Sequence, residues 1–416
     1  MANIEITDLV AAGELNEEQL ESNFIKYLKD NPNNLSFWFP KVKDCGIRVP
    51  KTVIVPVPEN IHTAFFGEDG EKGEQLIRSF VEKDIMSTIE NLPTLPFIKN
   101  GCFSNKFNFS LCCPEDKDID TIIHSIKNIE YDSLCFDTAG SLEIVLRERI
   151  PSPENLPRIY GGMPLNCEFR VFYDFDEHKA LYVMNYWDHD YCRDAIADRN
   201  PSDGEAFDKR WPSLDREYHL NAETVLKGVS AAMEKVSGLK GIWSIDILRD
   251  AEGRLWLIDM AVGRQSAYWD PYKAALCRLY EKMDAFIIAA EYETPADIKG
   301  RRYDFNEYRL YNDYAYKASI EAAFIYAYVK PKIGTELKGD DAEYFGVWDF
   351  IDRELPKNER NDALVAEAEK AHKEGFESPS ADKEYKERWQ KKWEKLTDIL
   401  FVEAASAFLD EKEETK

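Results

Sequence analysis

Two aspartates set inside otherwise apolar strand sequence constrain this chain most. Between Gly241 and Gln265, Trp243, Ile245 and Ile247 alternate with Ser244, Asp246 and Leu248. Asp250-Ala251-Glu252-Gly253 supplies a turn, and the return run Leu255 to Ile258 ends on Asp259. Period-two alternation around a Gly-bearing turn predicts a β-hairpin. An unpaired carboxylate buried in such a hairpin costs roughly several kcal/mol, so Asp246 and Asp259 need a partner. A turn centred near Glu252 places them on facing strands, about 5 Å apart. Carboxylates that close repel unless a cation lies between them, and magnesium takes carboxylate and phosphate oxygens in this way. The competing readings are an exposed face with solvated aspartates, or an ion pair from Asp246 to Arg249 or Arg254.

With 416 residues the chain is too long for one simple core, and two or three domains are expected. A formal charge of −25 argues against a protein that holds nucleic acid by phosphate neutralisation. The eight cysteines are scattered without a Cys-x-x-Cys pair, which points to reduced thiols in a cytosolic protein. The first residues are acidic where a signal peptide would be basic. The apolar run from Ala285 to Ala290 is too short to span a bilayer. A cytoplasmic protein without a membrane partner is expected.

Helical spacing is predicted over residues 14–30 and 71–91. An edge or inter-domain strand is expected over 47–57, where two prolines forbid a central position. Pro96-Phe97-Ile98-Lys99 reads as a strand ending in a lysine, followed by the turn-rich Asn100 to Asn105. Lys106 to Leu111 alternates and reads as a return strand. A helix over 117–129 and a strand over 142–150 follow. Asn166 to Asp174 and Ala180 to Trp187 form a second predicted hairpin. Residues 190–218 are polar and read as a loop or lid with short helices, before a helix from Asn221 to Ser237. Helices are also predicted over 272–291, 316–329, 363–373 and 384–409, and a run of tyrosines lies between Tyr303 and Tyr314.

An aspartate among apolar residues, a Gly-bearing turn and a second acid thirteen positions on resemble the metal-binding hairpin of the ATP-grasp superfamily. Its D-alanine ligase-like members carry Asp on one strand and Glu then Asn on the other. Asp246 matches the first position and Asp259 the second. The third falls on Ala261, which cannot ligate a metal, so the number of metal ions stays open. The order strand, loop, strand, helix, strand over 96–150 resembles the smaller lobe of the same superfamily. There Lys99 would reach the α- and β-phosphates, with Gly101 and Ser104 in the loop over them and Lys106 beside them. Glu148, Arg149 and Ile150 match the inter-lobe strand that binds adenine. The string Glu168-Phe169-Arg170-Val171-Phe172 resembles a second-lobe strand found in several branches, one of which assists assembly of a eukaryotic translation initiation factor. On that resemblance Glu168 joins the cofactor-binding residues and Arg170 faces the active site, to bind a γ-phosphate or an acyl phosphate; Arg264, in the loop after the metal hairpin, is a candidate for the second substrate or the γ-phosphate. Each feature also has a plainer reading: an ordinary turn at 100–105, a surface Arg-Glu-Arg cluster at 147–149, and an exposed Glu-Arg pair at 168 and 170.

The resemblance implies an α+β protein with a two-lobe ATP-grasp core and antiparallel sheets. Its parts would be an N-terminal α/β segment (1–95), a small lobe (96–150), a large lobe with the metal hairpin (151–295) and a C-terminal helical region (296–416). It implies ATP and Mg2+ as cofactors. The expected activity is a ligase joining a carboxylate to an amine through an acyl phosphate, with a peptide or protein among the conceivable substrates. An ATP-binding assembly factor without ligase activity, and nucleotidyl transfer to an RNA end, are the alternatives.

Overall fold

Among the described residues every ladder between strands is antiparallel, and two larger sheets lie between residues 52 and 262. The structure is a computed structural model describing residues 17–66, 70–135, 140–290, 305–338, 345–379 and 382–414. The chain forms two compact units, Met1–Trp269 and Asp270–Lys416. The fold is α+β, as expected. The division falls after Trp269 instead of near residue 295. Among the described residues no helix is long and apolar enough to cross a membrane.

In the first unit, helices α1 (Glu17–Asp30) and α2 (Leu35–Val42) lead to strand β1 (Thr52–Pro56). Then come α3 (Glu59–Phe65) and α4 (Gly70–Phe80), which runs on through a π-turn to Glu90. Strand β2 (Pro96–Asn100), α5 (Ile119–Cys135) and β3 (Glu143–Glu148) follow. The sheet order is β1-β3-β2, so β1 is an edge strand, as its prolines require. It belongs to the same sheet as β2 and β3. Ile77, Ile85, Ile98, Ile122, Ile126, Ile129, Ile144 and Leu146 build the core that helices and sheet share.

The expected return strand from Lys106 to Leu111 is a correction. Lys106–Asn108 is a 3-10 turn and Phe109–Cys112 a single helical turn. Asn105 reverses the chain in the left-handed region, at φ 39°. Phe107 meets the Tyr160 ring edge-on and Phe109 tilts onto Phe97, so the alternating aromatics pack without a ladder.

The second sheet has the order β7-β6-β8-β9, built from β6 (Cys167–Asp174), β7 (Lys179–Asn185), β8 (Ile242–Arg249) and β9 (Leu255–Val262). The short pair β4 (Arg158–Ile159) and β5 (Met163–Pro164) precedes it. Residues 190–218 are not a loop or lid. They form α6 (His189–Arg199) and the first half of α7 (Pro201–Met233), one continuous helix of 33 residues. Asp188 caps α6 and Asn200 caps α7, with Pro201 in the first turn, where its missing N–H leaves no helical bond unmade. Phe207, Leu214, Tyr218, Val225 and Val229 are buried along α7, and the Tyr218 hydroxyl donates to the Val183 carbonyl of β7.

The hairpin turn is locked by Asp250. Its Oδ1 accepts from the backbone N–H of Glu252 and Arg254, and its Oδ2 from Arg254 Nε and Trp256 Nε1. Burial works against this carboxylate, but the Trp256 and Arg254 donors outweigh it and hold its pKa at about 2. Arg254 is thereby committed to the turn and does not pair with Asp246.

The second unit is helical: α8 (Pro271–Ala289), α9 (Glu307–Asn312), α10 (Tyr314–Val329), α11 (Val347–Glu354), α12 (Glu359–His372) and α13 (Lys383–Glu414). Phe324, Tyr328, Phe350, Phe401 and Phe408 fill its core, largely edge-to-face, with Tyr328 and Phe350 at 5.0 Å and 90°. Residues 14–16 of the first predicted helix, Tyr303 and residue 291 lie outside the described residues.

Candidate functional site

Asp246 and Asp259 stand directly opposite each other on β8 and β9. The ladder slips immediately beyond them: Ile247 pairs with Leu257, which leaves Ile258 as an extra residue. Such a bulge re-aims the side chains beside it. Both aspartates line one cavity, and the solvated-face reading of the hairpin fails because Asp246 is only 4% exposed.

Each aspartate has a cation. Arg170 on β6, directly opposite Asp246, binds it with both prongs: Nε to Oδ1 at 2.7 Å and Nη2 to Oδ2 at 2.8 Å. Burial opposes the Arg170 charge, yet Asp246 overrides it and raises the pKa. Lys99, at the end of β2 and 1% exposed, reaches Asp259 Oδ2 at 2.9 Å. Burial pushes the Asp259 carboxyl up, but Lys99 and Arg147 more than offset this and leave its pKa below the ordinary value. Lys106 sits 3.4 Å from Glu168 and 3.3 Å from the Tyr186 hydroxyl, with its ammonium over the Tyr186 ring. Burial would lower the Lys106 pKa; Glu168 outweighs it and raises it. Glu168 itself is pushed up by burial. The plain reading of Glu168 and Arg170 as a surface pair is excluded by their burial.

Arg147 and Tyr186 are the residues the sequence reading passed over. Arg147 is buried on β3 opposite Phe97, on the face that carries Lys99. Its Nη1 donates to the Ile258 carbonyl, while Nε and Nη2 have no partner. Burial lowers its pKa to about 10, so it remains a cation at neutral pH. Orphaned buried donors facing a cavity call for an acceptor that arrives from outside. The sequence carried part of the signal: a charge directly after the apolar run Ile144-Val145-Leu146.

Two cavities meet at this cluster. The first, about 500 Å³, has an apolar wall that includes Phe97, Phe109, Ile150, Leu248 and Ile258, and is lined too by Lys99, Arg147 and Glu168. The second, about 530 Å³, is polar and holds Asp246, Arg170, Tyr186, Ser244 and Ser266, with Asn31 and Asn33 from the turn after α1. Ser104, Lys106 and Asp259 line both.

Of the remaining predicted residues, some line the two cavities and some do not. Glu148, Arg149 and Ile150 line the first cavity. Glu148 Oε1 accepts from the Lys51 backbone N–H at 2.8 Å, and the Arg149 guanidinium donates to the carbonyls of Pro96 and Pro114. Gly101 lines neither cavity, and its N–H donates to the Glu143 carbonyl. A Cβ there would sit 2.3 Å from both Glu143 Oε1 and Ser141 Oγ. The glycine thus permits a close approach inside the protein instead of presenting its amide to a ligand. Arg264 is exposed and lines neither cavity; the neighbouring Gln265 takes its place at the second.

Strained backbone gathers here too. Asn105, Tyr160 and Tyr268 have φ of 39°, 52° and 66°. Each adjoins a residue lining one of the cavities. Side chains other than glycine persist in this region only where their surroundings over-determine them, and they concentrate at functional sites.

Two opposed carboxylates fit a divalent cation that also draws oxygens from a phosphate, since magnesium uses one or two carboxylates in such complexes. Among the described residues there is no group of three acidic, histidine or cysteine side chains that would hold a metal alone. No model of a known protein family matches the chain, and comparison with characterised proteins returns no match.

Proposed function

We propose that the first unit is an ATP-grasp-like, magnesium-dependent ligase that joins a carboxylate to an amine through an acyl phosphate. The observation that carries the reading is the opposed Asp246–Asp259 pair, met by Lys99 and Arg170 where an apolar and a polar cavity join. The apolar cavity suits a purine, with Glu148 to Ile150 along its wall. The cations Lys99, Lys106, Arg147 and Arg170 outnumber the carboxylates Glu168, Asp246 and Asp259, which favours a polyanion at the junction. The polar cavity receives the second substrate.

On this reading the two lysines exchange partners when nucleotide binds, while Arg170 stays on Asp246. Lys99 and Lys106 turn to the α- and β-phosphates, the free nitrogens of Arg147 donate to a phosphate oxygen, and Arg170 holds the terminal phosphate by the N–H groups that Asp246 and Ala267 leave free. The two aspartates would hold magnesium, which supplies charge neutralisation for the transferring group. A substrate carboxylate oxygen attacks the terminal phosphorus and ADP leaves. An amine nitrogen then attacks the acyl carbon, inorganic phosphate leaves, and the amine loses a proton. Arg170 stabilises the charge that develops on the phosphoryl oxygens.

Nucleotide analysis after incubation with Mg-ATP and candidate amino acids or peptides tests this. Substrate-dependent ADP release supports ligation. AMP with pyrophosphate supports nucleotidyl transfer, and binding without turnover supports the assembly-factor reading. Asp246→Asn and, separately, Asp259→Asn are expected to abolish magnesium-dependent ATP binding; wild-type binding in both removes the metal assignment.

A further inference from the structure

We propose that Tyr268 is a positioning residue that fixes Arg170 for the terminal phosphate, an inference that rests on the nucleotide reading. Arg170 is held by more than its carboxylate. Its Nη1 donates to the Ala267 carbonyl at 3.3 Å, and its guanidinium lies 4.9 Å from the centre of the Tyr186 ring. Both supports depend on the next residue in the chain. The Tyr268 hydroxyl donates to the Tyr186 carbonyl at 2.9 Å and lies 3.3 Å from Cys192 Sγ. The Tyr182 hydroxyl donates to the Tyr268 carbonyl at 3.2 Å, and the Tyr191 ring packs on Tyr268 at 4.5 Å.

These contacts close a circuit from Arg170 to Ala267, Tyr268, Tyr186 and back to Arg170. The circuit explains the backbone. Tyr268 is held at φ 66°, a conformation that a bulky side chain adopts only under constraint. That twist places the Ala267 carbonyl on Arg170 while the Tyr268 ring stays clamped between α6 and the end of β7. With Nε, Nη1 and Nη2 each tied to protein, the guanidinium has one orientation, and its remaining N–H groups are pre-set for an anion. Tyr268 acts through Arg170 and lines neither cavity.

Binding of ADP and of a non-hydrolysable ATP analogue, each with magnesium, to the full chain separates the possibilities. Tyr268→Phe keeps the ring and the backbone twist and loses the hydroxyl contacts. It is expected to weaken the analogue about fivefold to tenfold while leaving ADP within about twofold. Tyr268→Gly relaxes the backbone and removes the clamp, and is expected to weaken the analogue further with ADP again spared. Equal weakening of both nucleotides, or unchanged analogue binding in both variants, overturns the positioning role. A wild-type chain that binds neither nucleotide overturns the nucleotide reading itself, so the two failures are told apart.

Discussion

Glu130 lies beneath the loop that follows Lys99, and its proton controls a measurable part of the stability. The carboxyl is fully buried on α5; Asn100 Nδ2 is 3.4 Å from Oε2, and Oε1 has no partner. Asn100 in turn accepts from the backbone N–H groups of Cys102 and Phe103, so the loop rests on this contact. Burial lifts the Glu130 pKa from 4.5 to about 8. The folded chain therefore binds this proton more tightly than the unfolded chain. The stability it contributes is complete below about pH 4.5, falls as pH rises toward 8 and is constant beyond. At about 1.4 kcal/mol for each tenfold change in proton affinity, the whole swing is on the order of 5 kcal/mol. Glu130→Gln keeps the shape and does not titrate. The unfolding free energy of the variant minus that of the wild type is expected to rise by about 3 kcal/mol between pH 5.5 and pH 8.5. Urea unfolding of both proteins at a series of pH values measures it, and the subtraction removes every group they share. A difference independent of pH would refute the reasoning. A difference that moves the other way would mean that an ionised Glu130 has a cationic partner.

Two further outcomes follow from packing and charge. Gly101→Ala is expected to destabilise by about 1–3 kcal/mol in denaturant titration, because the new methyl meets the buried Glu143 and Ser141 oxygens; an unchanged midpoint would mean that the loop yields freely. Asp250→Asn is expected to cost about 2 kcal/mol at pH 7, with the cost fading as pH falls from about 4 toward 2. The depressed pKa sets that direction: the native turn's advantage is present above the ordinary carboxylate range and lost on protonation. A cost that persists at pH 2 would place it in shape and not in charge.

What could be read from the sequence was mostly charge in the wrong company. Asp246 and Asp259 stand among residues that want to be buried, and a buried charge must have a partner, so their facing was legible from pattern, whereas Lys99 was placed beside them only by the resemblance. Arg147 carries the same signal and was missed because Glu148 and Arg149 beside it suggest a surface cluster. Long-range partners were not legible. Nothing local says that the Asn31-Pro32-Asn33 turn reaches β9, where Asn33 Oδ1 accepts from the Val262 N–H. Residues 106–111 deceived because alternation is a property of sequence, whereas a strand also needs a free ladder edge and continuous extended backbone; the left-handed Asn105 removes the second. Residues 190–218 deceived because α7 buries one narrow face, and its average polarity hides that face.

The distance along the chain between Asn33 and Val262 has a consequence for biosynthesis. The Asn33 contact spans 229 residues, and the nearby Arg48 carbonyl accepts from the Leu257 N–H at 2.8 Å. At a ribosomal pace of about 5–20 residues per second, the early half of each pair waits roughly ten to fifty seconds for its mate. Through that interval the nascent polypeptide shows unsatisfied carboxamides and a half-built floor. The opposed aspartates are among the last parts of this unit to emerge, so the binding cleft is born late, and truncated or stalled products would carry its cations without these two aspartates.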